Sequence, residues 1–225
     1  MKLNELAKEM AERIAAMEPG SIETIAHIAL AVPGADALNL DDSLFELEDE
    51  VVSLLDERGI VLDRSAYWGM NVGLPYNIPF EVRPIVNGKR GPIEIDEVER
   101  LLFSASAFFT GQAEMLLERD DSGALVKTIQ GFFTPDPEEA FDVPMSEGET
   151  RVLQEALREC DVESWYQEYP NELPEVVVLD GDSWEMLLCL SDGTCIESYG
   201  MNAYPECFDD FAYALKEIGF PDFWS

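Results

Sequence analysis

An α+β fold is predicted, and three observations predict it. Helical periodicity fills the first sixty residues and returns in two later stretches, the rest breaks into short β-prone runs, and turn residues separate those runs. The fold expected is an N-terminal three-helix segment with short strands, then a mainly antiparallel sheet with helices in the order β-β-α-β-β-α.

The first helix carries Leu3, Leu6, Met10, Ile14 and Met17 on one stripe and closes at Pro19-Gly20-Ser21. A second, more apolar helix is expected from Ser21 to Val32, with His27 between Ala26 and Ile28 as a buried packing histidine. A third opens at the capping box Ser43-x-x-Glu46, presents Leu44, Leu47, Val51, Leu54 and Leu55, and stops at Gly59. Short strands follow at Ile60-Val61-Leu62 and from Ile78 to Val82. The turn-rich run from Pro84 to Pro92 marks a break near residue 88, giving two domains, 1–88 and 89–225. Asn87-Gly88 is also a type I′ hairpin signal, so the same run reads alternatively as a turn between two strands.

From Glu97 to Glu118 and from Ala124 to Phe133, apolar runs flank the turn Asp121-Ser122-Gly123 and predict sheet. A second capping box, Ser146-x-x-Glu149, opens a helix with Val152, Leu153, Ala156, Leu157 and Cys160 on one side, and Trp165-Tyr166 is placed against its end. A hairpin from Trp184 to Tyr199 precedes a last helix bearing Phe208, Phe211, Ala212, Leu215 and Ile218, ended by Gly219. Read as a two-residue Asp-Gly hairpin, its loop sets Cys189 opposite Ile196 and sends Cys189 and Cys195 to opposite faces.

Composition removes whole classes of function. The 225 residues hold 47 Asp and Glu against 14 Lys and Arg, a net charge of −33, yet 47% are hydrophobic and 10% aromatic. Enough apolar surface exists to offset chain entropy, so this is a folded acidic protein rather than a disordered tail. No basic patch is visible, so direct binding to nucleic acid or to an anionic membrane is not expected. The N-terminal residues lack the pattern of a secretory signal and no apolar run reaches membrane-spanning length, which predicts a soluble, cytoplasmic protein with reduced cysteines.

Two stretches resemble a family of uncharacterised proteins from gut-associated bacteria. They are the segment Gly73-Leu74-Pro75-Tyr76-Asn77-Ile78-Pro79-Phe80 and the string of Asp180-Gly181-Asp182-Ser183-Trp184, Ser191-Asp192-Gly193 and Gly200-Met201-Asn202-Ala203-Tyr204-Pro205-Glu206. The resemblance implies a family and no activity. In the second stretch, positive φ at Gly200, local backbone hydrogen bonding by Asn202 and helix initiation by Pro205 give a structural reading of the turn.

No catalytic, cofactor-binding or metal-ligating residues are assigned. Neither CxxC nor HxxxH occurs and His27 is the single imidazole, which argues against zinc. The acidic pairs Asp41-Asp42, Asp120-Asp121 and Asp209-Asp210 are adjacent rather than spaced across a cleft, and Asp180-Gly181-Asp182 lacks the length of a calcium loop. Gly-x-Ser-x-Gly, the Walker A spacing and Gly-x-Gly-x-x-Gly are missing, so no nucleotide cofactor is expected. The candidate interaction residues are Phe220, Phe223 and Trp224 in the aromatic tail. The expected function is a non-enzymatic protein-interaction or accessory module with a basic protein partner. Two alternatives stand beside it: a nucleic-acid mimic that inhibits a DNA- or RNA-binding protein, and an enzyme whose carboxylate-lined cleft is assembled from distant residues.

Overall fold

The computed structural model describes residues 2–35, 44–67, 77–107, 111–132, 140–170 and 181–222. The chain divides into two compact units, Met1–Ile85 and Val86–Ser225. It is a mixed helix-and-sheet protein with five α-helices and one large, mainly antiparallel sheet among the described residues.

The first unit contains α1 (Leu3–Ala15), β1 (Ile22–Glu23), α2 (Ile25–Ala31), α3 (Leu44–Asp56), β2 (Ile60–Asp63) and β3 (Phe80–Pro84). Its strands form an antiparallel sheet in the order β1-β3-β2. Leu6, Met10 and Ile14 of α1 meet Leu47, Val51 and Leu55 of α3, together with Ile25, Phe80 and Val82, in one core. The second helix is shorter than its apolar run. Ile22 and Glu23 pair with β3 instead, and the Thr24 hydroxyl accepts the His27 N–H at 3.1 Å to start α2. His27 therefore faces outward, its side chain 71% exposed and paired with Glu23, which overturns the buried reading. Ser43 of the first capping box lies outside the described residues.

The second unit contains β4 (Val98–Ala107), β5 (Gly111–Arg119), β6 (Leu125–Phe132), β7 (Ala140–Pro144), α4 (Glu147–Glu159), β8 (Glu168–Tyr169), β9 (Ser183–Leu190), β10 (Cys195–Met201) and α5 (Phe208–Glu217). Its sheet runs β7-β6-β5-β4-β9-β10-β8, antiparallel throughout except for the parallel pair β8 and β10. The expected β-β-α-β-β-α order thus becomes four strands, a helix, three strands and a helix. Of the three extra strands, one comes from the run Glu97 to Glu118 dividing into β4 and β5, and two are the short edge pieces β7 and β8, which are too brief to show a period in the sequence.

Alternate residues of β4 and β9 (Leu101, Phe103, Ala105; Trp184, Met186, Leu188, Leu190) point to a core closed by Leu153 and Leu157 of α4 and by Phe208, Phe211 and Leu215 of α5. Phe103 sits at its centre, 6.1 Å from Phe211 and 5.2 Å from Phe220, both edge-on. Burying one such ring contributes about 1.5–3 kcal/mol. The capping box at Ser146 is formed: Ser146 Oγ accepts the Glu149 N–H at 3.2 Å, and Glu149 Oε2 accepts the Ser146 N–H at 2.7 Å. Lys127 forms an ion pair with the same carboxylate. At the far edge, β7 bulges against β6, and Asp142 holds a left-handed φ of 51°.

Asn87-Gly88 is not a hairpin turn, because β3 and β4 belong to different sheets and positive φ occurs at Gly88 without Asn87. Asn87 instead docks beside β10. Its Nδ2 donates to the carbonyls of Trp165 and Glu197, each at 2.8 Å, and its Oδ1 accepts the Glu197 N–H at 3.2 Å.

The β9–β10 hairpin also departs from its expected register. Cys189 pairs with Cys195 and Leu188 with Ile196, around a three-residue loop in which Gly193 has φ +82°. Leu190 N–H donates to Thr194 O at 2.9 Å, and the Cys195 carbonyl accepts Val86 N–H on its other side. The two cysteines are thus a non-hydrogen-bonded pair on one face, the opposite of the expected arrangement. One added loop residue shifts every later side chain to the other face.

Candidate functional site

A recess of about 660 Å³ in the second unit lies where the end of α4 meets the start of α5. Its walls come from two stretches some forty residues apart, 159–169 and 204–210.

The first wall follows from how α4 ends. Cys160 caps the helix, Asp161 turns the chain with a left-handed φ of 43°, and a single 3₁₀ turn, Val162–Ser164, follows. Trp165 then folds back, its Nε1 donating to the Cys160 carbonyl at 2.9 Å, so the indole satisfies a helix-end acceptor while its ring stays buried. The next peptide is pinned on both sides. Tyr166 N–H donates to the Tyr169 hydroxyl at 3.1 Å, and the Tyr166 carbonyl accepts Ser198 Oγ at 2.7 Å. Tyr166 is left 73% exposed at the rim. Burial pushes the Tyr169 phenol upward from its ordinary value.

The second wall follows from the Gly200–Glu206 turn. Trp184 Nε1 donates to the Ala203 carbonyl at 2.9 Å, and Tyr204 stacks on Trp184 at 6.5 Å with rings 17° apart. Gly200 is required here by space and not by positive φ. A Cβ would stand 2.3 Å from Ala203 O and 2.8 Å from Trp184 Nε1. Positive φ falls on Asn202 instead, at 51°, and its Oδ1 accepts the Asp182 N–H at 3.0 Å.

Four carboxylates, Glu159, Asp161, Glu206 and Asp210, line the recess beside Trp165, Tyr166, Tyr169 and Tyr204, and none of its lining residues is Lys or Arg. Two thiols are also in the wall. Cys160 Sγ donates to the Cys207 carbonyl at 3.3 Å, and Cys207 Sγ lies 3.7 Å from Asp210 Oδ2. Burial raises the Cys160 pKa well above the ordinary thiol value, and the Cys207 thiol, Asp210 and Glu159 push it the same way. Acid-lined and aromatic, the recess suits a cation, which carboxylates attract and ring faces accept.

A second recess of about 420 Å³ lies between the start of α4 and the β5–β6 turn. Its principal cation is already engaged: Arg119 donates to the carbonyls of Val98 at 3.0 Å, Ile95 at 2.7 Å and Gly123 at 2.6 Å. Gln154 is likewise spent, accepting Ile95 N–H at 2.6 Å and donating to Ile93 O at 3.2 Å.

Of the expected interaction residues, Phe220 is 2% exposed and packs against Phe103, and Phe223 and Trp224 lie outside the described residues. The acid-lined recess was missed because its two walls are distant in sequence. Trp165-Tyr166 and the Ala203-Tyr204-Pro205 turn were each legible as packing, but no spacing joins them. Among the described residues, no group of three or more His, Cys, Asp and Glu side chains is placed to hold a metal ion, and no helix is long and apolar enough to cross a membrane. No family model, curated protein or solved structure matches the chain.

Proposed function

We propose that the chain is a non-enzymatic interaction module of the cytoplasm that receives a basic segment of a partner protein in the recess between α4 and α5. One observation carries the reading: Glu159, Asp161, Glu206 and Asp210 converge with four aromatic rings in a recess lined by no cation. A lysine or arginine side chain there gains carboxylate partners and a ring face together, and the net charge of −33 draws basic partners in at low salt.

Because so acidic a protein attracts any polycation, the test compares sites. A fluorescently labelled lysine- and arginine-rich peptide is titrated at low and high salt by anisotropy. Asp161→Asn with Glu206→Gln is set against Glu12→Gln with Asp49→Asn in the first unit, which remove the same charge elsewhere. The expected result is several-fold weaker binding for the recess pair and little change for the control pair. Equal weakening in both would overturn the proposal.

A further inference from the structure

We propose that Cys160 and Cys207 form a dithiol–disulfide pair, a reversible covalent tie between the end of α4 and the start of α5. The proposal stands on geometry separate from the binding reading above.

Cys160 is the C-cap of α4 and Cys207 the N-cap of α5. Each thiol reaches the other's backbone: Cys160 Sγ is 3.3 Å from Cys207 O, and Cys207 Sγ is 3.9 Å from Glu159 O, the carbonyl of the peptide leading into Cys160. The crossed contacts set the two chain segments side by side, with each sulfur against the backbone at or next to the other cysteine. The helices themselves are fixed by Leu157, Phe208 and Phe211 in the core.

Access divides the two roles. Cys207 is half-buried in the wall of the recess, where a small disulfide reagent can reach it, whereas Cys160 is 5% exposed behind it. Cys207 thiolate attacks one sulfur of a low-molecular-weight disulfide, forming a mixed disulfide and expelling one small thiolate. Cys160 then gives up its proton and attacks the Cys207 sulfur, expelling the second. Two protein thiols become one disulfide, and the reagent leaves as two small thiols carrying the released protons. Burial, with Asp210 and Glu159 nearby, opposes thiolate formation at Cys160, so its attack waits until the mixed disulfide is held beside it. The surrounding carboxylates also select the oxidant's charge: a cationic disulfide is attracted where an anionic one is repelled. Cys189 and Cys195 directly face each other but are both 0% exposed, which denies a reagent the first step.

The reduced full chain is treated with limiting cystamine, a dicationic disulfide, alkylated in denaturant and mapped by mass spectrometry. A Cys160–Cys207 linked peptide, with Cys189 and Cys195 alkylated and full reversal by dithiothreitol, is expected. A cysteamine adduct persisting on Cys207 beside an alkylated Cys160 would overturn the proposal, as would a Cys189–Cys195 bridge or a failure of any thiol to react. In Cys160→Ser the adduct should accumulate on Cys207. Cys207→Ser, at the more exposed position, should leave all remaining thiols unreacted even if the other variant folds poorly.

Discussion

Arg83 Nε donates to Asp63 Oδ2 at 2.8 Å, with only 2% and 0% of the two side chains exposed. They occupy diagonal positions across β2 and β3, since Val61 faces Arg83 and Asp63 faces Glu81. Asp63 Oδ1 accepts the Ser65 N–H at 2.8 Å, and Glu81 pairs with the same guanidinium. Removing one member strands a buried charge. Arg83→Met should therefore cost about 3–5 kcal/mol, measured by urea unfolding, while Asp63→Leu with Arg83→Met should recover a large part of that loss.

Glu149 should shape the acid limb of stability. Burial alone would raise its pKa, but hydrogen bonds from Lys127 and from the Ser146 N–H and hydroxyl outweigh it and hold the carboxyl at about 2 instead of 4.5. A folded-state value below the unfolded one adds stability above the unfolded value, and that stability is lost as pH falls from 4.5 towards 2. Glu149→Gln should cost about 1 kcal/mol at neutral pH, in the range of a lost helix cap, and the cost should vanish at the acid end. Unfolding midpoints of both proteins across that window measure it.

Gly200→Ala should destabilise the second unit by about 1–3 kcal/mol, because the new methyl group would overlap the Ala203 carbonyl and force Trp184 from its hydrogen bond. Tryptophan fluorescence during denaturation reads the loss. His27→Ala, by contrast, should stay within about 0.5 kcal/mol of the parent, as befits an exposed side chain.

The excess of negative charge should make the fold respond to salt. Raising sodium chloride from about 0.02 M to about 0.5 M screens carboxylate repulsion, and the thermal midpoint should rise with it. A flat or falling midpoint in calorimetry would contradict this role for the charge.

Elements with their own amphipathic stripe were legible: α1, α3, α4 and α5 bury most of the residues their spacing selects, Leu3, Met17, Leu54 and Val152 being half-buried, and the box at Ser146 is formed. What escaped was decided elsewhere in the chain. Ile22 and Glu23 joined a strand because β3 offered a partner, His27 turned outward when Thr24 set the phase of α2, and the cysteine register hung on one loop residue. Gly200 was recognised as necessary but for the wrong cause, since only the folded chain brings Trp184 and Ala203 against it. The recess is illegible for the same reason, as its walls meet only after the sheet between them has formed.

The two margins of the seven-stranded sheet are also poor templates for a foreign strand. Among the described residues β8 offers two, and β7 is broken by its bulge, by the left-handed Asp142 and by Pro144. Fibril growth by edge-to-edge addition needs a long, flat ribbon of open backbone groups. A chain built this way should remain clear in concentrated storage even at pH values where its carboxylates are protonated and mutual repulsion no longer keeps copies apart.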